Sequence, residues 1–210
     1  MKVLLVNGSP HKKGGTYAAL SEVETALQAN GIETESFWVG AEPLAGCVGC
    51  RMCGKLGKCV VNDKVNLLLE CAAQVDGFVF GSPVHFAAIS ASMTALLDRA
   101  FYADFCAPDS VFYLKPAAAV VVARRAGTTA ALDQLLKYPS HADMPIITSR
   151  YWNLAHGASP DDVQQDGEGL QTIRELGNNM AFFLKCKEAG LRAGIISPVQ
   201  EPRVVTNFIR

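Results

Sequence analysis

Lys2-Val3-Leu4-Leu5-Val6-Asn7-Gly8-Ser9-Pro10-His11-Lys12-Lys13-Gly14-Gly15-Thr16 opens the chain, and its reading decides the fold. Val3 to Val6 is apolar without alternation, the pattern of a short strand buried on both faces. Asn, Gly, Ser and Pro then turn the chain. Beyond Thr16, Ala19, Leu20, Val23 and Leu27 recur at helical spacing over Thr16–Asn30, and Gly31 closes that stripe at a C-cap position. A strand, a Gly-rich turn and a helix make the first half of a βαβ unit.

Working outward, the same alternation continues. Ile32–Val39 reads as a second strand and Gly77–Phe80 as a third, ended by Gly81-Ser82-Pro83. Ala117–Ala123, apolar throughout, is a central fourth strand, and Pro145–Thr148 is a fifth. Helical stretches fall at Lys64–Gln74, Ile89–Tyr102 and Thr129–Lys137, and a long helix runs from about Asp166 to Ala189. The expectation is an α/β fold: a doubly wound, five-stranded parallel sheet in three layers. Residues 1–190 are expected to form one domain and 191–210, broken by Pro198 and Pro202, a tail at an oligomer contact. The segment Arg150–Gln165 has no place in the regular layout. A loop of that length is a lid, a binding loop or a subunit contact, and Tyr151 and Trp152 would be costly to expose there.

Half of the 210 residues are hydrophobic and the formal net charge is −1. That composition suits a buried core and excludes the basic excess of a nucleic-acid binder. No stretch approaches the roughly 20 apolar residues of a membrane span. The apolar run at the start is too short for a signal peptide, so the expected location is the cytoplasm, with no membrane partner.

In an open parallel sheet, ligands bind beyond the carboxyl ends of the strands. Three turns there are unusual. In the first, glycines and Ser9 let backbone N–H groups converge at a helix N-terminus, Thr16 adds a hydroxyl, and His11, Lys12 and Lys13 add donors. That is a phosphate cradle, distinct from the P-loop and from the dinucleotide fingerprint. An ordinary turn with Thr16 as a plain N-cap is the alternative. In the second, Gly81-Ser82-Pro83-Val84-His85-Phe86, two flat side chains offer surfaces for a planar ring. In the third, Arg124-Arg125-Ala126-Gly127, two arginines stand at the mouth of the most apolar strand, placed for an anion or as a solvated turn.

The chain has seven cysteines, an odd number, and four crowd together as C-x2-C-x2-C-x5-C: Cys47, Cys50, Cys53 and Cys59. A secreted disulfide scaffold spreads its pairs differently. Four thiolates this close can wrap a [4Fe–4S] cluster; a structural zinc or four uncoordinated thiols remain alternatives. Cys71, Cys106 and Cys186 read as small buried hydrophobes.

Taken together, the three turns resemble the NADPH-dependent FMN reductase and iron–sulfur flavoprotein branch of the flavodoxin-like superfamily. That branch carries Gly-Ser-Pro-Arg with a later Gly-Asn-Thr, then Gly-Ser-Pro-Val-Tyr-Phe, and often Arg-Arg-Ala-Gly. Tyr151-Trp152-Asn153 and Leu176-Gly177-Asn178-Asn179-Met180-Ala181 extend the resemblance to about Gly190, and the cysteine spacing is similar to that branch's compact cluster motif. The resemblance implies an FMN phosphate on Ser9, His11, Gly15 and Thr16. It places the flavin ring against Pro83, Val84, His85 and Phe86, with Arg124, Arg125, Ala126 and Gly127 contributing. It also implies electron transfer from NAD(P)H to a flavin, a quinone or another small-molecule or protein acceptor. The alternative is an iron–sulfur electron carrier with a ferredoxin-like partner, and a homodimer or homotetramer is expected. Two departures weaken the transfer: His11 stands where the branch has Arg, and His85 where it has Tyr.

Overall fold

The computed structural model describes residues 1–202 together with Val204, Thr206 and Phe208. In chain order the elements are β1 (Lys2–Asn7), α1 (Gly15–Ala29), β2 (Glu33–Trp38), α2 (Cys53–Leu56), α3 (Lys64–Ala72), β3 (Gly77–His85), β4 (Ala88–Ile89), α4 (Ala91–Cys106), β5 (Ala117–Ala123), α5 (Thr128–His141), β6 (Leu154–His156), α6 (Pro160–Gln165) and α7 (Gly167–Arg192). Five strands lie parallel in the order β2-β1-β3-β5-β6, and β4 turns back antiparallel on the end of β3.

The period of two in the buried strands sorts the core into two halves. Leu4, Val6, Phe78, Phe80, Ala117, Ala119 and Val121 face one way, onto Val65 and Leu68 of α3, Leu96 and Leu97 of α4, and Leu132 and Leu135 of α5. Val3, Leu5, Val79, Ala118, Val120 and Val122 face the other way, onto α1, Val163 of α6, and Ile173, Leu176 and Met180 of α7. The doubly wound, three-layer α/β sandwich is thus the observed one.

Four details differ from the sequence expectation. β3 does not end at Phe80 but continues through Gly81-Ser82-Pro83 to His85, pairing with β5 as far as Pro83–Val122. β1 ends opposite Gly81, so beyond that point β3 has lost one neighbour, and a proline without an N–H is tolerated. Pro145–Thr148 is not a strand: only Ile146 bridges to Ala117. The chain leaves the sheet after Ile147 and rejoins β5 at Asn153, whose carbonyl accepts from Val121 N, to continue as β6. Arg150–Gln165 therefore holds the fifth parallel strand and a short helix. Finally, α7 runs to Arg192. The segment after it touches the body where Tyr113 Oη donates to Pro198 O and Gln200 Nε2 donates to Asp143. The rest of that tail, Arg203, Val205, Asn207, Ile209 and Arg210, lies outside the described residues. Among the described residues no helix is long and apolar enough to cross a membrane.

Side chains cap most helix starts. Asp63 accepts from Val65 N, Ser90 from Met93 N and Asp166 from Gly169 N, while Ser159 and Asp162 form a capping box on α6. Two longer helices have none. Gly14 before α1 and Gly127 before α5 leave their first N–H groups without a side-chain acceptor.

Candidate functional site

Strand order reverses between β1 and β3, because β2 lies on one side of β1 and β5 and β6 lie beyond β3. The crevice outside the carboxyl ends of these two strands is where a doubly wound fold places a ligand. Here the chain builds a loop fixed from all sides. Gly8 N donates to Gly81 O at 2.8 Å, and Ser90 Oγ donates to Gly8 O at 2.7 Å. Asn7 accepts from Ser9 N at 3.0 Å and donates to Lys12 O at 3.1 Å. Trp38 Nε1 donates to Ser9 O at 2.8 Å, and His11 N donates to Ser9 Oγ at 3.1 Å. A side chain at position 8 would bring its Cβ to 2.9 Å from Met93, so the close approach requires glycine.

The loop delivers the chain to the uncapped start of α1. Thr16 there is 2% exposed, and its Oγ1 has no hydrogen-bond partner among the described residues. A buried hydroxyl without a partner costs about 1–3 kcal/mol, so an orphan at the open end of a helix marks a place built for an acceptor. Ser21 Oγ is the other such atom, further along α1 and lining a separate cleft beside Trp38.

Thr16 lines a cleft of about 540 Å³. From the residues expected in the site, the cleft gathers Ser9, His11, Gly15, Thr16, Pro83, Val84 and Arg124. His85, Phe86, Arg125, Ala126 and Gly127 stand outside that lining. They form a rim in which two turns meet, since a Cβ on Gly127 would lie 2.8 Å from Ala87 Cα and 3.1 Å from Val84 Cγ1. At that rim Phe86 and Ala87 both have positive φ, 52° and 60°, and Phe86 is fully exposed. The sequence assigned no specific role to Gly157, Ala158, Ser159 and Pro160, which build a further wall. Ser159-Pro160-Asp161-Asp162 has the form of a helix start, the one signal from which the helix here could have been found. Val163 of that helix closes on Gly15, whose Cβ would come 3.1 Å from Val163 Cγ2.

The lining is electropositive. His11, Lys13 and Arg124 are its titratable members, and neither α1 nor α5 has an acidic residue in its first turn. Open helix N–H groups and an orphan hydroxyl together suit a phosphate. The walls of Pro83, Val84, Val122 and Ala123 suit an apolar, planar body.

A model of the NADPH-dependent FMN reductase family matches residues 1–159. The chain belongs to that family. An iron–sulfur flavoprotein of Methanocaldococcus jannaschii is 32% identical, over 88% of this chain and 98% of its own length. One from Archaeoglobus fulgidus is 27% identical, over 87% and 97%. A flavodoxin from the domain Archaea superposes with a TM-score of 0.57 at 13% identity, covering 88% of this chain and 99% of that one, a likeness of fold. Family and relatives support an FMN-dependent flavin oxidoreductase.

For this FMN reductase family member the cysteine loop is the second point of interest. Cys47, Cys50, Cys53 and Cys59 all line one small cavity of about 50 Å³, floored by Arg99, Tyr102 and Ala103 of α4. Cys53 is buried at the start of α2, Cys59 is half-buried, and Cys47 and Cys50 are exposed; of the three cysteines read as buried hydrophobes, Cys71 and Cys106 are only half-buried and Cys186 is exposed on α7. Burial and the neighbouring Cys106 push the Cys53 thiol up. Among the described residues no three His, Cys, Asp or Glu side chains converge as a formed metal centre. The four thiols thus share a cavity lining without being drawn together, although four soft sulfur donors are by type the ligand set that an iron–sulfur cluster takes. Asp63 and Arg99, which the sequence reading passed over, bind this loop together. A charge at position 99 inside the apolar stripe Met93, Leu96, Ala100 and Ala103 was the signal for it.

Proposed function

We propose that the cleft binds FMN and that the protein takes electrons from NAD(P)H and passes them to a flavin, a quinone or another acceptor. The observation that carries this reading is Thr16: a buried hydroxyl without a partner at an uncapped helix start, inside an electropositive cleft. Bound flavin would supply hydride acceptance and electron transfer. The chain's own part is to hold and shape. Thr16 Oγ1 and the first N–H groups of α1 donate to the phosphate, with the His11 ring adding a further donor. Pro83 and Val84 form the wall along the ring, and Arg124 stands at its edge. The exposed His85–Ala87 tip leaves one side of the site open for a nicotinamide to approach.

The cysteine loop favours a second reading, an electron carrier exchanging electrons with a ferredoxin-like partner. In it Cys47, Cys50, Cys53 and Cys59 would hold a [4Fe–4S] cluster, which supplies one-electron transfer. Both readings fit a homodimer or homotetramer, supported by the exposed pair Tyr151–Trp152 and by Ile195 and Ile196 after α7. The test is anaerobic. Purified protein should carry about one FMN per chain and roughly four irons, the content of one cubane. NADPH should bleach the flavin bands within seconds. A flavin that NADPH leaves oxidised while reduced ferredoxin bleaches it would replace the first reading with the second.

A further inference from the structure

Arg99 is 3% exposed and lies beside the cysteine cavity, away from the cleft. All three of its guanidinium nitrogens are engaged. Nε and Nη2 both donate to Cys59 Sγ, at 3.4 and 3.2 Å. Nη1 and Nη2 fork onto the Asp63 carboxylate at 2.7 and 3.0 Å. The remaining bonds go to Ala45 O and Val61 O, each at 3.2 Å. One side chain on α4 thus pins both flanks of the cysteine loop and directs two charged nitrogens at a single sulfur, Nη2 sharing its two hydrogens among Cys59, Asp63 and Val61.

That arrangement exceeds what charge balance needs. Asp63 alone neutralises the guanidinium, and it has a task of its own as the N-cap of α3. Pointing two donors at Cys59 rather than at further carbonyl oxygens is useful if that sulfur carries extra negative charge. Donors on a ligand sulfur are also among the levers that set a cluster's reduction potential.

We infer that Arg99 is a positioning residue for the cluster, holding Cys59 in place and raising the reduction potential; this rests on the reading that the four cysteines bind a cluster. On one-electron reduction the added charge spreads over iron and sulfur, while Arg99 keeps its proton and its charge throughout. Its N–H groups therefore stabilise the reduced state more than the oxidised one. Asp63, a negative charge on the same guanidinium, acts in the opposite direction.

The experiment is a dye-mediated redox titration, followed by electron paramagnetic resonance, on anaerobically reconstituted protein with flavin content as the folding control. Arg99→Met should lower the midpoint by a tenfold or greater loss of reduced-state stability, about 59 mV for a one-electron couple. Arg99→Lys, which keeps the charge but not the fork, should recover part of the shift. Asp63→Asn, which still caps α3, should raise the midpoint. Unchanged midpoints in both Arg99 variants at full iron and flavin would overturn the inference and leave Arg99 a structural residue. If both variants retain flavin but no iron, Asp63→Asn decides: a raised midpoint supports the inference, and an unchanged one overturns it. A wild-type protein with full flavin that takes up no iron and sulfide overturns the cluster reading itself, and the inference with it, before any variant is made.

Discussion

Thr16→Val separates stability from binding at one atom. The change is nearly isosteric and removes a hydroxyl that is 2% exposed and unpartnered among the described residues. In flavin-free protein the hydroxyl costs desolvation without a compensating bond, so its loss should stabilise the fold by about 1–2 kcal/mol. For a chain of this size that is a rise in Tm of roughly 2–8 °C, read by calorimetry on deflavinated protein. Under the proposed binding the same hydroxyl would donate to the FMN phosphate, so its loss should weaken binding by about 1–2 kcal/mol, a roughly 5- to 30-fold rise in Kd. Titration of FMN fluorescence measures that rise. The two effects have opposite signs, which a general disruption of the loop cannot produce. A lower Tm without flavin, or an unchanged Kd, would refute the reasoning.

Other outcomes follow from the same geometry. Gly157→Ala would push a Cβ to 2.7 Å from Val163 Cγ2, so it should destabilise the protein by about 1–3 kcal/mol through overpacking, visible as a lower midpoint in urea. Burial first and Glu35 second push the Cys71 thiol up. Iodoacetamide should therefore modify exposed Cys186 before Cys71 at pH 8, and raising the pH should speed Cys71; mass mapping showing equal rates would contradict this. Trp152→Ser should leave flavin binding unchanged and shift light scattering towards smaller species, if Trp152 seals a subunit contact.

The parts of this fold legible in sequence were those fixed locally. Val3–Val6 and Ala117–Ala123 are apolar at every position, which only a strand covered on both faces explains. The turn proposed to cradle a phosphate was legible as a turn because Ser9 and Thr16 sit where a strand hands over to a helix. What sequence could not show was competition between segments. Pro145-Ile146-Ile147-Thr148 has better strand residues than Leu154-Ala155-His156, yet the open edge of β5 is longer than the first segment covers, and Leu154–His156 pairs with its far end. The same limit applied to Gly81-Ser82-Pro83, a turn by composition and a strand because β5 runs alongside. Arg99 was visible as a misplaced charge, but its partners Asp63 and Cys59 lie 36 and 40 residues away, and no local pattern joins them.

The Phe86–Ala87 turn carries a consequence for anyone evolving this protein. Both residues sit in the left-handed region, where a two-residue hairpin normally places Asn and Gly, and each costs roughly 1–3 kcal/mol there. A random library screened only for survival at high temperature should therefore enrich glycine at 86 and 87. It would do so while erasing an aromatic ring held fully in solvent beside the cleft. A library screened on turnover would be under no such pressure to give up the ring. Sequencing both populations at these two codons would show whether the turn's strain is a defect or a feature that selection keeps.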